Sequence, residues 1–274
     1  MIAAGRRERF LAYVEQSHAK DDKSRVLELH MDSIRRELMA DDRWRPGLRL
    51  LDVGCGIGRY SQFWSSRGFR VTGLDSEPDL IARARAIARS NKLDIRFELG
   101  SADRLPFQDA SFDVIYANSL LEHVRNWQAC LDEWTRVLAP GGLLWVETTN
   151  RLCPRQGEYR WVPLFGWWPG WAQHVVYRLA NGPLPAIANY SPCPALHWFS
   201  YFQLTHILTA KGLVVRDRID NLNVAQAGGL KRVARSLALS SPVLRWGVYL
   251  FMTPLVIMAS RPQENRALGT AQSA

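Results

Sequence analysis

Three glycines, each two residues apart, follow an acidic residue at the end of an apolar run. The stretch "LLDVGCGIGRY" places Gly54, Gly56 and Gly58 after Asp52. A strand that enters such a turn brings backbone close to a ligand, because glycine adopts conformations that other residues disfavour. Dinucleotide sites use G-x-G-x-x-G, but Arg59 stands where the third glycine of that pattern belongs. A P-loop is excluded too, because no Gly-Lys-Ser/Thr follows. A non-dinucleotide ligand and a tight turn without a ligand both stay open.

Two further acids follow the next predicted strands. Asp75 ends "VTGLD", 21 residues after Gly54, where a carboxylate can accept hydrogen bonds from both hydroxyls of a ribose. Its alternative role is the N-cap of the following helix. In "GSADRLPF", Ala102 and Asp103 follow the third strand, and a carboxylate there can accept from the amino group of an adenine. The alternative for Asp103 is an ordinary loop acid. Together these acids favour a ligand that contains a nucleoside.

Alternating strands and helices are needed to bring these residues to one edge of a sheet. Apolar runs predict strands at 48–54, 70–75, 95–100, 112–118 and 143–150. Amphipathic patterns predict helices at 59–68, 78–91 and 126–142, the last with a Pro-Gly-Gly stop. After an irregular segment, we expect a helix at 200–212, a strand at 213–219, a basic amphipathic segment at 228–251 and a last strand at 254–262. This order predicts an α/β fold with a doubly wound parallel sheet.

The chain divides into five expected segments. They are an N-terminal helical segment (1–46, with an amphipathic helix over 21–39), a cofactor-binding core (47–150), a substrate-cap insertion (151–200), the remainder of the core (201–262) and a flexible tail (263–274). The insertion contains five of the 11 tryptophans. It follows the carboxyl end of a strand, which is where open α/β sheets bind ligands.

Four stretches in fixed order carry a resemblance to a known family. "LLDVGCGIGRY", "VTGLD", "GSADRLPFQDASFDVIYANSLLEHV" and "RVLAPGGLLWVETTN" resemble class I S-adenosylmethionine-dependent methyltransferases, over roughly residues 47–150. The closest subgroup is the small-molecule type (methyltransferase domain 11) that includes the ubiquinone and menaquinone biosynthesis enzymes. The resemblance implies a Rossmann-like, seven-stranded sheet with its last strand antiparallel. It also implies S-adenosyl-L-methionine as the cofactor and in-line methyl transfer as the reaction.

The resemblance assigns cofactor-binding roles to residues that match the motifs. The glycine turn would wrap the methionyl and ribose portions, with an acid beneath it near the methionine amino group: Gly54, Cys55, Gly56 and Asp52. The strand tips would hold the adenosine and the methionine end: Asp75 at the ribose hydroxyls with Ser76 and Glu77 beside it, Ala102 and Asp103 at the adenine, and Asn118 near the sulfonium. Because the cofactor has no phosphate, the N-terminus of the helix that follows the turn would interact only with the carboxylate of the methionine portion.

Catalytic and acceptor-binding residues are less defined, since the subgroup shares no fixed base. A base is needed only where the acceptor is a hydroxyl that must lose its proton. His123 in "LEHV" and His197 in "PALHW" are the candidates, with a structural role as the alternative for each. Acceptor contacts are expected from the insertion, whose aromatic residues could instead form its own core: Glu158, Tyr159, Trp161 and Trp198.

Charge and composition narrow the acceptor without naming it. The net charge of +9 suggests an anionic partner, although the basic residues are scattered and could be solvated faces. Signatures of nucleic-acid base methylation are absent, which favours a small-molecule or lipid-linked acceptor. We expect O-methylation, although the residues themselves do not distinguish oxygen from nitrogen or carbon as the methylated atom. The alternatives are an RNA or other nucleic-acid methyltransferase and a non-catalytic S-adenosylmethionine-binding regulator. The four cysteines have no CxxC spacing, and no metal site is expected.

The sequence also bears on the compartment. The first residues lack the apolar segment of a signal peptide, so a cytoplasmic location is expected. Residues 236–260 carry a single charge, but their uncharged run of about fifteen residues is shorter than the roughly 20 needed to span a bilayer. Peripheral membrane contact through 228–251 and packing of that segment against the sheet both stay open. The oligomeric state has no signal in the sequence.

Overall fold

A computed structural model describes most of the chain. The described residues are 11, 24–40, 42–154, 159, 162–184, 187–188, 194–217, 228–250 and 254–263. Two predicted acceptor-binding residues, Glu158 and Trp161, lie outside the described residues, as does the expected tail beyond Gln263.

The described residues form one sheet of seven strands. The strands are β1 (Arg49–Val53), β2 (Arg70–Asp75), β3 (Arg96–Leu99), β4 (Phe112–Asn118), β5 (Leu138–Thr148), β6 (Val214–Asp217) and β7 (Leu255–Ser260). Their order across the sheet is β3-β2-β1-β4-β5-β7-β6. The first five strands are parallel, and β7 lies antiparallel between β5 and β6. The predicted Rossmann-like sheet with an antiparallel last strand is confirmed.

Helices connect and cover the strands. They are α1 (Ser24–Ala40), α2 (Arg59–Ser66), α3 (Pro78–Ser90), α4 (Trp127–Val137), α5 (Gly170–Asn181), α6 (Tyr201–Ala210), α7 (Gly229–Ser240) and α8 (Pro242–Tyr249), with a 3₁₀ turn at Phe165–Trp167. Local chemistry sets several starts. Pro78 opens α3, where its missing N–H has no cost. Asn126 and Ser200 cap α4 and α6 by accepting from backbone N–H groups.

Two hydrophobic clusters cover the two faces of the sheet. Alternate residues of β4 point to opposite faces, so Tyr116 packs with α1 and α2 while Ile115 packs with α4 and α6. On the first face, Trp145 stacks on Tyr116 with ring centroids 4.6 Å apart. A parallel sheet covered on both faces explains why its central strands read as nearly continuous apolar runs.

Two predicted elements differ from the observed ones. The helix expected over 126–142 ends at Val137, and β5 begins at Leu138 rather than at residue 143. Leu138 pairs with Phe112 across a bulge, which gives the Pro-Gly-Gly segment a place at the start of the strand. The single segment expected over 228–251 is two helices, because Ser241 caps α8 and Pro242 opens it.

None of the helices within the described residues is long and apolar enough to cross a membrane.

Candidate active site

The glycine turn after β1 is anchored to β2. The N–H groups of Gly54 and Cys55 both donate to the Leu74 carbonyl, at 2.8 and 3.0 Å. Gly58, at φ +81°, begins α2, and a Cβ there would lie 2.7 Å from Cζ of Phe97. This third glycine is therefore required for packing.

Gly56 has no such neighbour among the described residues. Its φ is +55°, and a Cβ at this position would meet none of their atoms within 4 Å. Helix α2 begins at Arg59, and within the part of the chain that the structure describes its N-cap residue, Gly58, provides no side-chain cap. The turn thus presents backbone, without side-chain cover, at the carboxyl edge of the sheet.

Asp75 connects the tip of β2 to this turn. One carboxylate oxygen accepts from the N–H of Gly56 at 2.9 Å, and the other accepts from the N–H of Glu77 at 3.0 Å. Burial raises the pKa of Asp75, although these backbone donors oppose the rise. Each carboxylate oxygen can accept a second hydrogen bond, so Asp75 can still bind hydroxyl groups. Ser76 beside it is exposed.

Asp52 lies beneath the turn. It is buried, and its carboxylate accepts from the Ser61 hydroxyl at 2.6 Å. Burial raises the pKa of Asp52 to about 7, with the Ser61 hydrogen bond opposing and the charge of Asp75 adding to the rise. Cys55 is also buried, and burial raises the pKa of its thiol well above the ordinary value. The thiol is therefore protonated at neutral pH.

The loop after β3 carries the predicted adenine contacts. Ala102 is buried, while Asp103 is half-buried and accepts from the Ser101 hydroxyl. The N–H of Gly100 donates to the Asp75 carbonyl at 3.0 Å, which places this loop next to the tip of β2. The structure thus brings these residues to the same edge as the glycine turn.

Asn118 ends β4 at that edge. Its Nδ2 donates to the hydroxyl of Tyr60 at 3.2 Å, whereas its buried Oδ1 has no hydrogen-bond partner among the described residues. Burial raises the pKa of Tyr60 to about 12, so its hydroxyl stays protonated and can donate in turn. Sequence reasoning missed Tyr60, because an aromatic residue in the first turn of a helix is usually a packing residue.

A second missed group lies on β5 beside Asn118. Glu147 pairs in register with Asn118, and its carboxylate lies 3.6 Å from Nε2 of His30 in α1. The other ring nitrogen of His30 lies 2.9 Å from the hydroxyl of Tyr116. The sequence could have indicated Glu147, because this acid lies near the end of the predicted strand "LLWVET". It could not have indicated His30, which lies in an amphipathic helix more than 80 residues before β4.

The two candidate histidines come from different segments that the structure brings together. The N–H groups of Leu196 and His197 donate to the Glu122 carbonyl, next to His123, at 2.7 and 3.1 Å. Burial lowers the pKa of His197, while the backbone carbonyls of Val124 and Arg125 oppose the change. Its Nε2 is buried and has no hydrogen-bond partner among the described residues.

Glu122 is another buried acid that the sequence did not single out. It accepts from the Thr148 hydroxyl at 2.7 Å, and burial raises its pKa to about 7. The side chain therefore joins the segment that follows β4 to the end of β5. Only its place in "LLEHV" could have signalled it.

The described part of the insertion has a small core of its own. Tyr159 is buried there, and its hydroxyl donates to the Ala195 carbonyl at 3.2 Å. Trp198 packs in the same cluster, edge-on to Phe165 at 4.7 Å. These two predicted acceptor contacts fit the alternative interpretation, in which aromatic residues form the core of the insertion.

Comparison with known proteins identifies the class. The family model described as a methyltransferase domain matches residues 51–146, which run from β1 to β5. This match covers the glycine turn and the tips of the parallel strands, and it confirms the resemblance in the sequence. Residues 51–146 are therefore similar in sequence to a methyltransferase domain.

Individual relatives agree over the same part of the chain. A malonyl-[acyl-carrier protein] O-methyltransferase of Erwinia billingiae is 32% identical over 44% of this chain and 46% of its own length. A ubiquinone biosynthesis O-methyltransferase of a Caulobacter species is 38% identical over 43% of this chain and 50% of its own length. The chain thus spans about half the length of these curated relatives.

One solved structure extends the similarity of fold to most of the chain. An S-adenosylmethionine-dependent methyltransferase from Methanosarcina mazei covers 82% of this chain and 98% of its own, with a TM-score of 0.51 and 20% identity. At that identity, the likeness shows the fold alone.

The residues at the carboxyl edge fit S-adenosylmethionine. Asp75 offers carboxylate oxygens for ribose hydroxyls, and Gly56 leaves backbone open where the methionyl portion would pass. The uncapped start of α2 suits a carboxylate. The unpartnered Oδ1 of Asn118 can accept from an amino group or from polarised C–H groups beside a sulfonium.

Proposed function

We propose that this chain methylates a hydroxyl group of a small-molecule or lipid-linked acceptor. The observation that carries the proposal is the hydrogen bond between the Asp75 carboxylate and the Gly56 N–H, which joins the acid that we assign to the ribose to the glycine turn. Two relatives with O-methyltransferase in their names support oxygen as the methylated atom. Because those relatives are matched over about half their length, the molecules that they methylate cannot be assigned to this chain.

The cofactor would be held by groups from four strand tips. Asp75 would take the ribose hydroxyls, Ala102 and Asp103 the adenine, and Asn118 the methionine end. Asp52 supports the turn from beneath through Ser61. When bound, S-adenosylmethionine supplies a methyl carbon activated by a positively charged sulfur. The chain itself supplies alignment, which accounts for much of the acceleration in a reaction of this kind.

His197 is the group we assign to the acceptor's proton. The backbone carbonyls of Val124 and Arg125 favour a proton on the ring, and Nε2, which has no hydrogen-bond partner among the described residues, is the nitrogen that we assign as the proton acceptor. Burial favours the neutral ring, and a neutral ring can accept a proton from a hydroxyl. His123, next to it, would position the acceptor. The insertion would cover the acceptor, with Tyr159 and Trp198 holding its shape.

The cofactor site is tested by binding. Asp75→Ala should lose S-adenosylmethionine binding by calorimetry, because no other carboxylate replaces the ribose contact. Asp94→Ala is the matched control, since Asp94 is exposed and precedes β3 at the opposite edge of the sheet. Unchanged affinity in Asp75→Ala would overturn the site assignment.

Turnover is tested separately. Fractionated metabolite and lipid extracts should contain one fraction that releases S-adenosylhomocysteine, and His197→Gln should lower that rate while leaving cofactor affinity unchanged. Turnover with an RNA fraction alone would support the nucleic-acid alternative. Tight cofactor binding without turnover in any fraction would support a non-catalytic regulator.

A further inference from the structure

The net positive charge of the chain lies mainly in one region, because that region contains few acids. Residues 159–263 contain ten lysines and arginines and only two acids, Asp217 and Asp220. The preceding 158 residues, which include the whole matched methyltransferase domain, are close to neutral. A charge difference of this size between two parts of a chain indicates an anionic partner for the basic part.

Helices α7 and α8 present apolar side chains within this basic region. Val233 and Leu237, one turn apart on α7, are 56% and 48% exposed. On α8, Val243 and Trp246 are 77% and 41% exposed. Arg232 is exposed beside Val233. An exposed surface that combines aliphatic residues, a tryptophan and arginine is typical of helices that lie in a membrane interface.

Helix α5 presents a second surface of the same composition. Trp171, His174, Val175 and Arg178 are all exposed and follow helical spacing, so they share one face. Trp171 is 74% exposed, which is far more than a tryptophan usually is. No acid occurs in this helix.

Both surfaces are attached at the carboxyl edge of the sheet. Asn150, two residues after β5, donates to the carbonyl of Tyr249 at the end of α8, at 2.8 Å. The next residue, Arg151, donates to the carbonyl of Gly166, just before α5, at 3.0 Å. Adjacent residues that follow β5 thus hold both helical surfaces next to the candidate active site.

We propose that α5 and the α7–α8 pair bind the surface of an anionic lipid bilayer. The arginines attract the headgroups, and the protruding tryptophans and aliphatic side chains enter the interface between headgroups and acyl chains. A folded partner protein would need a complementary apolar surface, and nucleic acid would gain little from exposed valine and leucine. Charge and apolar exposure together favour the bilayer. Docking would bring the candidate site close to acceptors dissolved in the membrane, and this consequence alone rests on the proposed function.

Vesicle sedimentation tests the surface without any need for activity. The full chain should sediment with vesicles of equal parts phosphatidylglycerol and phosphatidylcholine, but not with phosphatidylcholine alone, and salt should weaken the binding. Arg178→Gln and Arg232→Gln should each lower the partition coefficient about fivefold, as expected for one arginine near an anionic surface. Trp171→Ser and Trp246→Ser should lower it further and reduce the salt-resistant part of the binding.

Matched controls lie in the near-neutral part of the chain. Arg89→Gln removes an exposed arginine of α3, and Leu29→Ser removes an exposed leucine of α1. Neither should change sedimentation.

The proposal is wrong if the native chain stays in solution with the anionic vesicles, or if the controls lose as much binding as the surface variants. Complete displacement by RNA, with no effect of the tryptophan variants, would assign the basic region to nucleic acid instead. S-adenosylmethionine affinity is measured on each variant as a check of folding. This affinity depends on the cofactor site at Asp75 and not on the helical surfaces, so a failure of the proposed function can be told apart from a failure of membrane binding.

Discussion

At the scale of single residues, acids at the two opposite edges of the sheet have different environments. Asp113 sits at the start of β4 with Arg49 and Arg45, and the Arg49 hydrogen bonds hold its pKa below the ordinary value despite burial. Asp52 and Glu122 are buried near the carboxyl edge, and each accepts a side-chain hydrogen bond from a hydroxyl rather than from a guanidinium. A hydroxyl stabilises a carboxylate less than a guanidinium does. The carboxyl edge therefore holds acids that titrate near neutrality.

Glu122→Gln should change how stability depends on pH. The pKa of Glu122 is raised from 4.5 to about 7 in the folded state. Its contribution to stability is therefore fully present below pH 4.5 and is lost as pH rises through 7. The glutamine variant stays neutral, so its free energy of unfolding should match the native chain near pH 4 and exceed it by about 3 kcal/mol near pH 8. Urea unfolding at both pH values measures this, and a difference that does not vary with pH would contradict it.

Gly56 and Gly58 should respond differently to the same substitution. Gly58→Ala adds left-handed strain and a contact with Phe97 at 2.7 Å, so we expect a loss of about 2–4 kcal/mol in unfolding free energy. Gly56→Ala adds strain alone, about 1–2 kcal/mol, since nothing lies within 4 Å. Cofactor affinity should fall more in Gly56→Ala. Denaturant titration and calorimetry on both variants separate the two effects, and equal losses of stability would count against the packing role of Gly58.

At the scale of elements, α1 closes the face of the sheet that carries Tyr116. Its apolar side packs on β5 and its neighbours through buried residues that include Ile34 and Leu38. Glu37, also buried, forms an ion pair with Arg216 of β6 at 2.5 Å. His30 reaches the tip of β5 near Asn118. The helix therefore links the antiparallel edge of the sheet to the candidate site.

Leu38→Ala and Leu29→Ala compare the two sides of α1. Leu38 is 1% exposed, whereas Leu29 is 48% exposed in the same helix. We expect Leu38→Ala to lower the free energy of unfolding by about 2–5 kcal/mol, because it leaves a cavity in a packed cluster. Leu29→Ala should stay within about 0.5 kcal/mol of the native chain. Denaturant titration checks both, and similar values for the two leucines would show that α1 is not packed on the sheet.

The sequence predicts a feature of this structure where that feature is determined by residues that are close together in the chain. The parallel strands β1 to β4 were predicted within one or two residues, because buried runs bounded by glycine and charge have a clear local pattern. The start of β5 was missed, since Leu138 joins the strand through a bulge opposite Phe112 that no local pattern encodes. His30, Tyr60 and Glu147 were missed for a similar reason. Their meeting depends on which helix covers which face of the sheet.

At the scale of the whole molecule, the two parts of the chain have different surfaces. The near-neutral part contains the matched domain and the cofactor-binding residues that the resemblance assigns. The basic part contributes the antiparallel strands, the insertion and the exposed faces of α5, α7 and α8. His197 belongs to this second part but lies against Glu122 of the first. The basic part of the chain thus provides the candidate catalytic group, and the near-neutral part provides the cofactor-binding residues. We therefore expect that both parts must be folded for His197 to lie beside the bound cofactor.

Binding of S-adenosylmethionine should therefore stabilise the molecule as a whole. A ligand that binds only the folded state at about a hundred times its dissociation constant adds about 2.7 kcal/mol. For a chain of this size, that corresponds to a rise in Tm of roughly 5–10 °C in a thermal shift measurement. NAD at the same concentration is the control, because Arg59 replaces the third glycine of the dinucleotide pattern. A shift with NAD as large as that with S-adenosylmethionine would mean that the glycine turn accepts a dinucleotide after all.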